Sequence, residues 1–237
     1  MLVVSLATTL AAATLGCGLI GKAQDIVGTA QVLSDFGDRL GKAATLTYTA
    51  EYKVEGGDTV TLAQQPPNAA FLGKNGARFI FTAESLYFCG AEKGTMTCQK
   101  SPNNAAQVGA SDAGYVAGVA GPGFITPEVA LGLIAAAAVV PGATVSQSEK
   151  TIAGEKSLCA NASNLDKAAS PGDTSAPKDF SVCITEAGVL ASFIGTSTDG
   201  EKASIELTKY STSVDTSAFA PPSGAKIIDV TQIEPTP

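Results

Sequence analysis

The pattern of hydrophobic and polar positions changes several times along this chain, and each change predicts a different element. The first 21 residues are uncharged and mostly apolar. Over residues 22–43, apolar side chains recur at helical spacing, which predicts an amphipathic helix. From residue 45 the period becomes two, as it is in half-buried strands. A second helix is predicted over residues 126–140, and a second series of strands follows it.

The predicted strands are short and are separated by tight turns, which is typical of an antiparallel meander. Before the second helix they are 45–54, 59–64, 69–72, 77–82, 85–89 and 95–99, and after it 144–149, 156–161, 180–185, 189–197, 202–210 and 226–230. A loop rich in glycine, alanine and asparagine, 101–123, precedes the second helix. One helix, a meander, another helix and another meander predict an α+β fold.

The second predicted helix is unusually apolar. Thr126 suits the N-cap, Pro127 the first helical position and Glu128 the positive end of the helix dipole. No charged residue follows Glu128 as far as Val140. A helix that is apolar on all faces is expected to be buried, and this one is too short to cross a bilayer.

The N-terminus predicts export. Residues 1–16 form an apolar stretch that ends in a small residue, as a secretory signal peptide does. The next residue, Cys17, gives the run Leu15-Gly16-Cys17, which resembles the lipobox of bacterial lipoproteins. We therefore expect a signal peptide at 1–16, a lipidated N-terminus with a short tether at 17–21, one domain at 22–232 and a tail at 233–237. A plain secretory signal and an uncleaved membrane anchor remain as alternatives.

The other four cysteines predict two disulfides. Cys89 and Cys98 flank a predicted hairpin, so they can face each other across its strands. Cys159 and Cys183 each lie in a predicted strand on either side of a polar loop. Sequential pairing is therefore favoured among the three possible pairings. Zinc is disfavoured, because short Cys-x-x-Cys pairs and histidine are both missing.

Charge and composition narrow the function. The chain has 15 basic and 22 acidic residues, a net charge of −7 and no histidine. An acidic chain without a basic patch is a poor partner for nucleic acid. Without histidine, neither a Ser–His nor a Cys–His catalytic system can be assembled. Paired carboxylates of the glycosidase kind stay open, but the prediction is a protein that is not an enzyme and has no cofactor or metal.

The order of elements resembles the LolA-like lipoprotein-carrier superfamily, which includes lipid-carrying lipoproteins of actinobacteria. Two further segments carry the resemblance. One is the terminal run Phe219-Ala220-Pro221-Pro222-Ser223-Gly224-Ala225, and the other is the cysteine-bearing strand, turn and strand of residues 182–190. The resemblance implies a strongly curved antiparallel sheet, a half-open barrel with the N-terminal helix and the apolar helix at its concave side, and a hydrophobic cavity for acyl chains.

A lipid-binding site follows as a hypothesis. We expect the apolar helix to lie against the inner face of the sheet and to line the cavity together with the strand at 77–82. The candidate lining residues are Phe79, Phe81, Val129, Leu131, Leu133 and Ile134. The expected ligand is a lipid or acyl chain, and the expected location is the extracytoplasmic face of the cell membrane, through a lipid anchor. The alternative is an interaction or sensor lipoprotein whose concave face is filled by its own side chains.

Overall fold

The computed structural model describes residues 18–103, 125, 127–168, 173 and 176–232. The predicted signal peptide, Cys17, Thr126, most of the predicted loop 101–123 and the tail 233–237 lie outside these ranges. The helices and strands are α1 Gly18–Ala43, β1 Tyr48–Val54, β2 Thr59–Gln65, β3 Asn68–Leu72, β4 Arg78–Phe81, β5 Ser85–Glu92, β6 Thr95–Pro102, α2 Pro127–Ala138, β7 Thr144–Ile152, β8 Glu155–Ser163, β9 Pro177–Thr185, β10 Leu190–Ser197, β11 Lys202–Ser211 and β12 Lys226–Asp229.

All twelve of these strands form one open, curved sheet in the order β12-β6-β5-β4-β3-β2-β1-β11-β10-β9-β8-β7. The two meanders predicted from the sequence are therefore joined at the centre by the pairing of β1 with β11. The α+β class and the half-open sheet with two helices are confirmed. At the level of the fold, this architecture also agrees with the resemblance to the LolA-like lipoprotein-carrier superfamily.

The last strand differs from the prediction of an antiparallel sheet. β12 pairs with β6 in parallel, with Ile227 opposite Cys98. The reason is the path of the chain after β11, which crosses the convex face of β3 and β4 before it reaches β6. There Ala218 packs with Ala70 and Ile80. A connection that crosses the sheet returns the chain in the direction of β6, whereas a tight hairpin would reverse it.

The segment 214–220, here called the C-terminal strap, is fastened to the convex face by an arginine. The Arg78 guanidinium donates to the main-chain oxygens of Ser217 at 3.4 Å and Ala220 at 3.2 Å. The Asp215 side chain caps the short helical turn of the strap by accepting from the main-chain N–H of Ser217 at 2.9 Å. That hydrogen bond holds the pKa of the Asp215 carboxyl below its usual value.

The main core lies on the concave face, where both helices pack. From α1 it takes Val32 and Phe36, and from α2 it takes Ala130 and Ile134. The helices contact each other and the strands β7, β8 and β9. They therefore cover one half of the concave face. None of the helices in the described ranges is long and apolar enough to cross a membrane.

The C-terminal end of α1 is held in place by two contacts with the sheet. The Gln64 side chain donates to the main-chain oxygens of Ala43 at 2.6 Å and Leu46 at 3.2 Å, so that it satisfies the end of the helix. Gly188, in the turn between β9 and β10, has a φ of +89°, and a Cβ added there would lie 1.9 Å from the main-chain oxygen of Arg39. Only glycine allows this close approach.

Both disulfides predicted from the sequence are present. Cys89 pairs with Cys98 across β5 and β6, and Cys159 pairs with Cys183 across β8 and β9. All four cysteines are fully buried. Each bridge therefore fastens one hairpin within its own half of the sheet.

Candidate functional site

Three phenylalanines lie in register across β3, β4 and β5 on the concave face. Phe71 is opposite Phe79, and Phe79 is opposite Phe88. The alternation of β4 places Phe79 and Phe81 on the concave face and Ile80 on the convex face, as the period of two predicts. The rings of Phe79 and Phe81 meet edge to face, with centroids 4.4 Å apart. The set Phe71, Phe79 and Phe88 is called the phenylalanine ladder below.

A cavity opens beside the phenylalanine ladder. Its volume is about 170 Å³. It is lined by Phe79, Leu86, Phe88, Gln99, Lys100, Ser101 and Val230. Four of these residues, Phe79, Leu86, Phe88 and Val230, are apolar, and the other three belong to β6 and are polar or charged. The volume is below the roughly 300–1,000 Å³ of pockets that enclose a whole drug-sized ligand. It can accommodate one end of an apolar chain.

The structure brings most of the predicted lining residues into one apolar cluster. Phe79 and Ile134 are buried in the concave core, and Phe81, Leu131 and Leu133 are half-buried against it. Val129 is outside that cluster and is 41% exposed. Whether these residues contact a lipid remains a prediction.

The expectation that α2 is buried on all faces is wrong. Ala130, Ile134 and Ala137 are buried, but Val129 is 41% exposed, and Ala135 and Ala136 are also exposed. The reason is that the sheet is open, so that α1 and the strands cover α2 on one side only. Gly132 is also exposed, and a Cβ added there would meet no atom within 4 Å. A larger side chain at Gly132 would therefore not fill the interior.

Sequence reasoning missed two residues of the phenylalanine ladder, Phe71 and Phe88, as well as Leu86 beside it. The signal that identifies them is cross-strand register, because Phe71 and Phe88 both lie opposite Phe79. That register is set by the turns between β3, β4 and β5. The alternation within a single strand does not reveal it.

Tyr52 brings an ionisable hydroxyl into the concave core, where its side chain is fully buried. Burial, together with the nearby Tyr48 and Tyr210, raises the pKa of the Tyr52 hydroxyl well above its usual value. The Tyr52 phenol therefore stays uncharged at neutral pH. Among the described residues, no group of three or more histidine, cysteine, aspartate or glutamate side chains is arranged to hold a metal ion.

Comparison with known proteins finds similarity in structure only. No protein-family model matches the chain, and no curated protein matches it significantly. An uncharacterized conserved protein from Thermus thermophilus is 11% identical, with a TM-score of 0.47, and the match covers 85% of this chain and 99% of that one. Lipoprotein LppX from Mycobacterium tuberculosis is 13% identical, with a TM-score of 0.42 and coverage of 78% and 98%.

A third solved structure is the hypothetical lipoprotein YmcC from Escherichia coli K12. It is 7% identical, with a TM-score of 0.26, and the match covers 81% of this chain and 94% of that one. These likenesses are distant, and no conclusion about function follows from them.

Proposed function

We propose that this protein is an exported, membrane-anchored lipoprotein that binds a lipid or acyl chain on the concave face of its half-open sheet. The observation that supports this most directly is the phenylalanine ladder, which opens into the 170 Å³ cavity at the half of the sheet away from β7, β8 and β9. Carrying a lipid or lipoprotein across the cell envelope is the corresponding biological role.

The geometry limits how an acyl chain would sit. The cavity takes the end of a chain, where Phe79, Leu86 and Phe88 remove it from water. Burial of apolar surface stabilises by about 25 cal/mol per Å². The rest of the chain would have to follow the apolar surface towards α2, where Leu131 and Leu133 are only half-buried. Binding of a long chain therefore requires these side chains, or α2 itself, to shift.

Filling the cavity tests the proposal. We expect the wild-type protein to bind a dansylated fatty acid saturably. Leu86→Trp should weaken this binding by about tenfold or more, a loss of about 1.4 kcal/mol, because the indole occupies the cavity. Leu72→Trp is the matched control, since Leu72 is half-buried against the convex face. It should change the dissociation constant by less than about twofold. A fluorescence titration measures both.

Two outcomes would contradict the proposal. One is the lack of saturable fatty-acid binding by the wild-type protein. The other is equal loss of binding in Leu86→Trp and Leu72→Trp, which would show that the effect does not depend on the cavity.

The lipid anchor is a separate proposal that rests on the sequence alone, because Cys17 lies outside the described residues. We expect Cys17→Ala to release the protein from the membrane or to leave it unprocessed. Cell fractionation and the mass of the mature protein measure this. If the variant stays membrane-bound with the same mature mass, the anchor is not at Cys17.

A second candidate function is supported by the packing beneath the helices. Phe36 and Ile134 are both fully buried there, so that this part of the concave face is filled by the protein itself. A filled face suits an interaction or sensor lipoprotein that binds no lipid. Native mass spectrometry of gently extracted protein distinguishes the two, since a lipid in addition to the anchor at Cys17 favours the carrier.

A further inference from the structure

A second cavity, of different chemistry, lies where α1 passes the hairpin of β7 and β8. Its volume is about 310 Å³. It is lined by Arg39, Glu149, Lys150, Thr151, Lys156, Ser157 and Glu186. We call it the hairpin cavity. It shares no lining residue with the cavity beside the phenylalanine ladder.

Main-chain contacts fix the walls of the hairpin cavity. The backbone of α1 at Arg39 rests directly against Gly188 in the turn between β9 and β10. In the same turn, the main-chain N–H of Glu186 donates to the main-chain oxygen of Lys156 at 3.1 Å. Lys150 is paired with Ser157 in the ladder of β7 and β8. Three elements thus hold the cavity from different sides.

No described residue forms an ion pair with a charged group of the hairpin cavity. The described part of the chain contains ion pairs between Lys74 and Asp58 and between Lys209 and Glu51, neither of which belongs to the cavity. The chain as a whole carries a net charge of −7. The hairpin cavity nevertheless has three cations around it, and no carboxylate of the described residues lies within ion-pairing distance of any of them. This part of the surface therefore differs from the acidic character of the whole protein.

Arg39 is the residue best suited to bind a ligand. The chain has two arginines, and Arg78 fastens the C-terminal strap. Arg39 is half-buried, so part of its hydration is already removed. A guanidinium presents a planar set of N–H donors that matches the two oxygens of a carboxylate or phosphate.

We propose that the hairpin cavity binds the oxyanion of a small polar molecule or lipid headgroup. Arg39 holds a phosphodiester or carboxylate, and Lys150 and Lys156 add positive charge. Glu149 and Glu186 accept hydrogen bonds from hydroxyl or amine groups of the same ligand. Because three cations face two carboxylates, the lining side chains carry a net charge of about +1. The cavity therefore suits a ligand with one negative charge on its oxyanion and with hydroxyl or amine groups next to it. The volume lies at the lower end of the range for ligand pockets. This inference does not depend on acyl-chain binding.

Calorimetry on the full mature chain in a non-ionic detergent tests this proposal. The probes are sn-glycero-3-phosphoethanolamine and dimethyl phosphate, at low ionic strength. We expect saturable binding of both. Arg39→Gln should weaken it by about tenfold or more, since hydrogen bonds between charged groups are the stronger kind. Lys226→Gln is the control, because it removes the same charge from β12, at the edge of the sheet opposite β7.

A variant that is expected to raise the affinity for the anion adds a second test. Glu149→Gln should strengthen the binding of dimethyl phosphate, because it removes a carboxylate that repels the anion. Dihexanoylphosphatidylethanolamine, used below its micelle concentration, identifies the source of the ligand. If it binds more tightly than its deacylated form, the site takes a lipid headgroup, and if the two are equal, it takes a free molecule. The proposal is overturned if neither probe binds saturably, or if Lys226→Gln loses as much affinity as Arg39→Gln.

Discussion

Replacing Gly188 by alanine should cost the folded protein far more stability than replacing Gly200 by alanine, although the two glycines have nearly the same backbone conformation. Their φ angles are +89° and +86°. At Gly200 an added Cβ meets no atom within 4 Å, so that only the left-handed conformation is penalised, by about 1–2 kcal/mol. At Gly188 the added Cβ would lie 1.9 Å from the oxygen and 2.7 Å from the carbonyl carbon of Arg39.

The clash at Gly188 is with main chain, which cannot turn aside as a side chain can. Either α1 or the turn between β9 and β10 must move, and we expect a total loss of about 4 kcal/mol or more. Urea unfolding of both variants, with the disulfides intact, measures the difference in the free energy of unfolding. Faster hydrogen exchange in α1 of Gly188→Ala would locate the damage. Equal losses at the two glycines would contradict the close contact.

Phe36→Ala should destabilise the folded protein much more than Phe219→Ala does. The ring of Phe36 is fully buried between α1 and the concave face. Truncating a buried phenylalanine typically costs about 3–5 kcal/mol, because the surroundings collapse only in part. Phe219→Ala provides the comparison, since Phe219 lies in the C-terminal strap and is only partly buried against the convex face. We expect it to cost less than half as much.

Chemical unfolding again measures these two losses, and Phe36→Leu serves as a conservative control that keeps most of the apolar volume. If Phe36→Ala were no more damaging than Phe219→Ala, α1 would contribute little to the core. The second candidate function would then lose its support, because it depends on an interior that is filled by Phe36 and Ile134.

Most helices and strands of the fold could be predicted from the sequence, because each is determined mainly by residues that are close together in the chain. The alternation in β4, the turn glycines and the proline at the start of α2 are local signals of this kind. The disulfides were predicted from the hairpin that carries Cys89 and Cys98 and from the strands on either side of a polar loop that carry Cys159 and Cys183. The parallel pairing of β12 could not be predicted this way. It depends on where the C-terminal strap crosses the sheet, and Arg78 meets that strap through oxygens 139 and 142 residues further along the chain.

The candidate sites were predictable only in part, for the same reason. Phe79 and Phe81 follow from the period of one strand, but Phe71 and Phe88 join them through register. The apolar composition of α2 predicted burial on every side, whereas an open sheet covers only one side of a helix. Arg39 is separated from Lys150 and Lys156 by the whole first meander and by α2, so that no local pattern could bring these three charges together.

The pairing of β1 with β11 also has a consequence for how the protein reaches its native state. Thr208 donates to the main-chain oxygen of Glu51 across a separation of 157 residues. Until residue 211 has been synthesised, β1 has no partner on that side, and the first meander has an open edge. Pairings between distant residues form slowly, because long loops must close before any contact is gained. The first meander therefore stays incompletely paired for as long as the second meander is unfinished, so the chain reaches its native state only after β11 has been made.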